Sequence, residues 1–188
     1  MQALLVSLGV VALAEIGDKT QLLTLVLAAR HRKPWPIVAG IFVATLANHA
    51  IAGAAGAWLT RHVGAEAMRW ILAISFMAMA AWMLVPDKLD AGVGASRNAG
   101  NLFLTTTLLF FVVEIGDKTQ VATVALAARF DALVAVVVGT TLGMMVANAP
   151  VAFMGDKIAR RLPVKIVHRV AAAIFAALGL GVLLVAPA

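Results

Sequence analysis

Apolar residues run along this chain in six long stretches, near residues 3–29, 36–60, 68–86, 102–128, 132–154 and 166–186. Each approaches or exceeds the ~20 residues that a helix needs to cross a bilayer. Polar residues gather between the stretches, with two exceptions. The first and fourth stretches are each interrupted near the middle by the same segment, EIGDKTQ, at 15–21 and again at 114–120. The pattern predicts an all-α integral membrane protein of six transmembrane helices.

The doubled segment belongs to a longer internal repeat. Sliding the chain by 99 residues sets Glu15 on Glu114, and 12 of the 16 positions from there to Arg30 and Arg129 are identical. Gly40 then meets Gly139 and Phe76 meets Phe175, while Asn48 meets Asn148 at an offset of 100. The expected organisation is a first three-helix repeat over 1–86, a linker over 87–101 and a second three-helix repeat over 102–188. Because three is odd, the second repeat enters the membrane from the opposite side, giving two inverted repeats of the kind that build many secondary transporters.

Basic residues set the orientation. The connections 1-2, 3-4 and 5-6 carry Arg30, Arg32, Lys33, Lys88, Arg97, Lys157, Arg160, Arg161, Lys165 and Arg169, whereas the opposite side carries Arg61, Arg69 and Arg129. The positive-inside rule then puts both termini outside the cytoplasm. Ala12-Leu13-Ala14 imitates a signal-peptidase site, but no Lys or Arg precedes it, so the first helix is expected to remain uncleaved.

Composition agrees. The chain is 63% hydrophobic and 13% charged, about half the charge of an ordinary soluble domain. Its formal charge of +6 would suggest nucleic acid in a soluble protein, but topology accounts for basic residues at helix ends, and no nucleic-acid partner is expected. The absence of cysteine removes disulfides and thiolate metal sites, leaving oxygen, nitrogen and thioether as ligands.

Six charges near the bilayer centre (Glu15, Asp18, Lys19, Glu114, Asp117 and Lys118) would together cost on the order of 15–20 kcal/mol if uncompensated. Glu15 and Lys19, at i and i+4 on a continuous helix, could pair on one face. That leaves each half with a surplus carboxylate, and ionisable residues inside a membrane mark function by default. Glu15 and Asp18 at i and i+3 would project from one side with Gln21 a turn further on, and the second repeat would bring Glu114, Asp117 and Gln120 to meet them. Thr20, Thr24, Thr119 and Thr123 add hydroxyls. Such an oxygen-rich shell suits hard divalent cations.

Gly17 and Gly116 interrupt the helix between the acids, either for local unwinding or for close helix approach. Asn48 and Asn148, at matching depths, could add amide oxygens to the site or tie helices together. Four carboxylates that cannot all ionise together hold protons in the absence of a metal, so metal and proton compete for the same oxygens, as in an antiporter. Lys19 and Lys118 supply charge balance in the metal-free state.

The doubled E-x-G-D-K-T in six helices resembles the Gdt-type cation/proton exchangers of Golgi, chloroplast and bacterial membranes. The likeness spans both motifs, Gly40 and Gly139, and the GDKIARRLP stretch at 155–163. It implies that Glu15, Asp18, Glu114 and Asp117 bind the cation, and that a bacterial member sits in the inner membrane and exports Mn²⁺, with Ca²⁺ as the other cargo. The full expected metal site adds Gln21, Gln120, Asn48 and Asn148. No resident cofactor is expected, and the partners are the divalent ion, protons and lipid, with a homodimer left open.

Outside the motif, His49 has no counterpart, since Ala149 follows Asn148; it reads as a packed histidine or as a nitrogen ligand or proton relay. Met144 and Met145 read as core, His31, His62 and His168 as interfacial, Asp156 and Lys157 as a helix-end pair, and Trp35, Trp58, Trp70 and Trp82 as an aromatic belt. A passive channel with an acidic ring would use the same carboxylates. An intramembrane hydrolase is disfavoured, because the chain lacks H-E-x-x-H and G-x-S-x-G.

Overall fold

The computed structural model describes residues 1–85, 100–155 and 163–184, so most of the expected linker and the pair Asp156 and Lys157 lie outside the described residues. The described residues form eight α-helices: α1 Gln2–Glu15, α2 Lys19–His31, α3 Pro34–His62, α4 Ala65–Trp82, α5 Leu102–Glu114, α6 Lys118–Phe130, α7 Leu133–Met154 and α8 Val164–Leu184. Three of them, α3, α7 and α8, are individually long and apolar enough to cross a membrane.

The first and fourth apolar stretches are not continuous helices. Each breaks at the repeated motif, so α1 ends on Glu15 and α5 on Glu114, and a new helix starts four residues later. Gly17 and Gly116 turn the chain with φ of 83° and 75°, a conformation that glycine alone adopts without steric cost. Of the two readings of these glycines, unwinding is observed at both and close helix approach at Gly17, where Val164 of α8 packs. Both second half-helices also end on left-handed residues, Arg32 and Asp131, again 99 apart.

Helices cross between the halves. α1 packs on α7 and α5 on α3, while α4 and α8 pack on each other. The contacts follow the repeat in detail. A Cβ on Gly40 would lie 2.9 Å from the Phe103 carbonyl oxygen and 2.8 Å from Thr106 Cβ; one on Gly139 would lie 2.5 Å from the Leu4 carbonyl oxygen and 3.0 Å from Ser7 Cβ. Every member of the second set is the first displaced by 99 residues. Phe76 and Phe175, themselves repeat mates, meet with ring centroids 6.3 Å apart. These glycines let backbones touch, as small residues do where helices associate in lipid.

Gly139→Val should therefore push α7 off α1 and destabilise the fold by about 1–3 kcal/mol, read as a lower melting temperature in detergent. Gly181→Ala, whose added Cβ meets nothing within 4 Å among the described residues, should not lower it.

Apolar packing forms two cores. One joins α1, α4, α6 and α8 around Phe76 and Phe175; the other joins α1, α2, α3, α5 and α7 around Ile37, Ile41, Phe110 and Met144. Many large apolar residues face outward, including Ile74, Val112 and Val134, which suits a surface solvated by lipid. The four tryptophans are all exposed, and His62 stacks on Trp58 at 4.5 Å.

Candidate metal centre

The two helix breaks meet at the centre of the molecule, because α1 and α5 are each clamped to the opposite half. Glu15, Asp18 and Glu114 are fully buried and Asp117 is 2% exposed. Glu15 lies within electrostatic reach of Glu114, Asp18 and Asp117. The partially negative C-terminal ends of α1 and α5 meet the partially positive N-terminal ends of α2 and α6 in this region.

Asp18 and Asp117 are N-caps of α2 and α6, and Asp18 accepts from the Lys19 backbone N–H. Three positions on, Gln21 reaches back so that its Oε1 accepts from the Gly17 N–H at 2.9 Å, and Gln120 does the same for Gly116 at 2.7 Å. The sequence D-K-T-Q is thus a variant capping box, with the glutamine serving the residue before the cap. This is the signal that forecasts the break, and it occurs in both copies. Gln21 also donates through Nε2 to the Ala147 carbonyl at 3.0 Å.

The lysines pair across the halves. Lys19 Nζ lies 2.8 Å from Asp117 Oδ1, and Lys118 Nζ lies 3.7 Å from Asp18 Oδ2. The i, i+4 pairing of Glu15 with Lys19 presupposes an unbroken helix; once the helix breaks, the lysine instead reaches the aspartate of the other motif. For the same reason, helical spacing is not what gathers Glu15 with Asp18. Lys118 is fully buried, whereas the Lys19 side chain is 25% exposed.

With the aspartates partnered by lysines, the glutamates stand apart. Glu15 Oε1 accepts from the Thr20 hydroxyl and from Asn148 Nδ2 at 3.0 Å. Glu114 Oε2 accepts from the Thr119 hydroxyl at 3.0 Å. In each case the other oxygen, Glu15 Oε2 and Glu114 Oε1, is buried with no hydrogen-bond partner among the described residues. Each glutamate is thus aimed by one oxygen and open at the other. Among the described residues, no three His, Asp or Glu side chains gather around one point as ligands; in this state the aspartates are held by lysines.

The asparagines differ. Asn148 joins the site, donating to Glu15 and accepting from Thr24 Oγ1 at 2.7 Å, whereas Asn48 donates to the Phe111 carbonyl at 3.0 Å. His49 is fully buried with neither ring nitrogen bonded among the described residues. Met144 is fully buried, its sulfur 3.0 Å from Asn148 Nδ2. His168, read as interfacial from sequence, is instead 8% exposed, with Nε2 2.6 Å from the Ile16 carbonyl oxygen. No local pattern forecasts that contact, which spans 152 residues.

Comparison with known proteins gives the chain a family. The chain matches the family described as Divalent cation/proton antiporter GDT1 over residues 3–91 and 102–188, with one motif in each segment. It is 49% identical over 176 residues, 93% of this chain and 87% of the other, to a Vibrio cholerae protein named "Putative manganese exporter". GDT1-like protein 3 is 26% identical in Oryza sativa subsp. indica, over 92% of this chain and 70% of that one, and also 26% identical in Arabidopsis thaliana, over 92% and 67%. No solved structure matches the chain. The chain is therefore a membrane-embedded cation transporter, not an enzyme, and belongs to the GDT1 family of divalent cation/proton antiporters.

Proposed function

We propose that this protein exports Mn²⁺ from the cytoplasm in exchange for protons, across a bacterial inner membrane that it crosses six times as two inverted three-helix repeats. In this reading, α1 with α2 and α5 with α6 are two broken spans, and both termini lie outside the cytoplasm. The carrying observation is the pair of glutamates at the helix breaks, each with one oxygen fixed by a threonine and one buried oxygen unbonded among the described residues. Such an oxygen can take a proton or a hard cation in turn.

Glu15 and Glu114 are the exchanging pair in this mechanism. Asp18 and Asp117 join the cation when their lysines are displaced, and Asn148 and Asn48 complete the shell as the halves rock. Gln21 and Gln120 hold the breaks open, beside whatever they lend to the ion. Manganese is favoured by the exporter named in Vibrio cholerae; calcium is the alternative cargo.

Charge counting sets the stoichiometry. Lys19 and Lys118 offset Asp117 and Asp18, leaving two glutamates, whose charge one divalent cation or two protons would balance. Two protons per ion make the cycle electroneutral. An unbalanced charge would instead respond to voltage by about 2.3 kcal/mol per 100 mV.

In proteoliposomes, a Mn²⁺ gradient should drive protons in the opposite direction at two per ion, with little effect of an imposed potential. Metal flux without proton movement would favour a channel, and flux of Ca²⁺ alone would remove manganese.

A further inference from the structure

The repeat is obeyed closely at the helix contacts, and one of its departures lies where α8 begins. At the first motif, α8 closes over the helix break: His168 Nε2–H donates to the Ile16 carbonyl at 2.6 Å. Val164 seats so tightly on Gly17 that a Cβ there would lie 2.3 Å from its Cγ1. At the second motif no described residue does this. Among the described residues, a Cβ on Gly116 would meet no atom within 4 Å, and Ile115 is 59% exposed, whereas Ile16 is partly buried.

The repeat mates of Val164 and His168 are Ala65 and Arg69 of α4, 99 residues earlier. They lie elsewhere, lining a cavity of about 490 Å³ with Thr60, Ala128 and Arg129. Arg69 Nε is buried there with no hydrogen-bond partner among the described residues. Correspondingly, α8 packs on α1, while α4 packs on α6.

A molecule whose sequence is doubled but whose contacts are not has a second arrangement available, in which the two halves exchange roles. The two packings use groups at repeat-equivalent positions, Val164 and His168 in one and Ala65 and Arg69 in the other, as the two states of an alternating carrier built from inverted repeats do. We infer that His168 is a positioning residue that holds the first motif shut in the present state, and that Arg69 takes the Ile115 carbonyl when the halves exchange. Both side chains donate N–H to a carbonyl that the helix break has freed. The inference rests on the transport reading and adds the groups that set which motif is closed. By the proposed orientation, α8 begins on the cytoplasmic side, so the present state is closed to the cytoplasm.

The chain has no cysteine, so single-cysteine labelling is a clean test, performed on the full chain in sealed vesicles without metal. A membrane-impermeant maleimide should label Ile115→Cys from the outer side and spare Ile16→Cys. Adding His168→Ala should raise labelling of Ile16→Cys several-fold from the cytoplasmic side and lower that of Ile115→Cys together with it. His168→Gln, whose amide can still donate, should restore the original pattern. Arg69→Met, added to the His168→Ala variant, should act oppositely, returning Ile16→Cys toward protection and Ile115→Cys toward labelling.

A rise at Ile16→Cys with Ile115→Cys unchanged would show a local tie only and overturn the inference. Unlabelled Ile115→Cys in the parent, or no response to either the His168 or the Arg69 substitution, would do the same. The labelling needs no flux, so a protein that switches yet moves no Mn²⁺ would remove the transport reading alone.

Discussion

Glu15→Gln and Glu114→Gln are each expected to lower metal export at least about 100-fold while the protein still inserts. Glutamine keeps a carbonyl oxygen for the Thr20 or Thr119 hydroxyl, so the side chain stays aimed and the neighbouring packing is preserved. What disappears is the charge on the second, unbonded oxygen, and with it both the proton and the cation that this oxygen could hold. Losing a partner that merely orients a ligand costs about 10- to 100-fold in metal affinity or activity, and losing the ligand itself costs more. Thr20→Val or Thr119→Val, which removes only the orienting hydroxyl, should accordingly fall within that 10- to 100-fold range. Initial rates of Mn²⁺ uptake into everted membrane vesicles, normalised to protein in the membrane, measure both classes. Parental rates in either glutamine variant would remove that glutamate from the site.

Much of this candidate site is legible in the sequence. The duplication, the six apolar stretches, the buried acids and the landmark glycines all follow from period and position, because a charge inside an apolar run and an exact repeat are local facts. The helix break was half legible. Gly17 raised it, but the decisive chemistry was D-K-T-Q, an N-cap followed three residues later by a glutamine that reaches back to the glycine N–H. Taking the span as continuous puts Glu15 and Lys19 on one face and pairs each lysine within its own motif. Their actual partners lie in the other repeat, which only the break and the crossed packing of α1 on α7 allow. His168 was misplaced for a related reason. Its position near a helix start suggests the interface, yet α8 begins beside the first break, with Val164 against Gly17.

The crossed ion pairs carry the second large expectation. Lys118 is fully buried against fully buried Asp18, so Lys118→Met keeps most of the volume but leaves the aspartate without the cation that faces it from the other motif. Removing one member of a buried pair costs about 3–5 kcal/mol, because the remaining charge has lost its compensation in a medium that solvates it poorly. At about 2–4 °C per kcal/mol for a chain of this size, the melting temperature in detergent should fall by roughly 6–20 °C. Lys19→Met should cost less, since the Lys19 side chain is 25% exposed and water can take over part of its role. Adding Asp18→Asn to Lys118→Met removes the charge that faced the lysine, and the double variant should recover most of the lost stability. It should not recover transport, because Asp18 is also an oxygen ligand in the proposed cycle. Stability and export thus separate: the lysine matters to folding through one aspartate, and that aspartate matters to export through the ion that replaces the lysine. Additive losses in the double variant would mean that Lys118 and Asp18 do not depend on each other, and the charge count behind two protons per ion would then lose its basis.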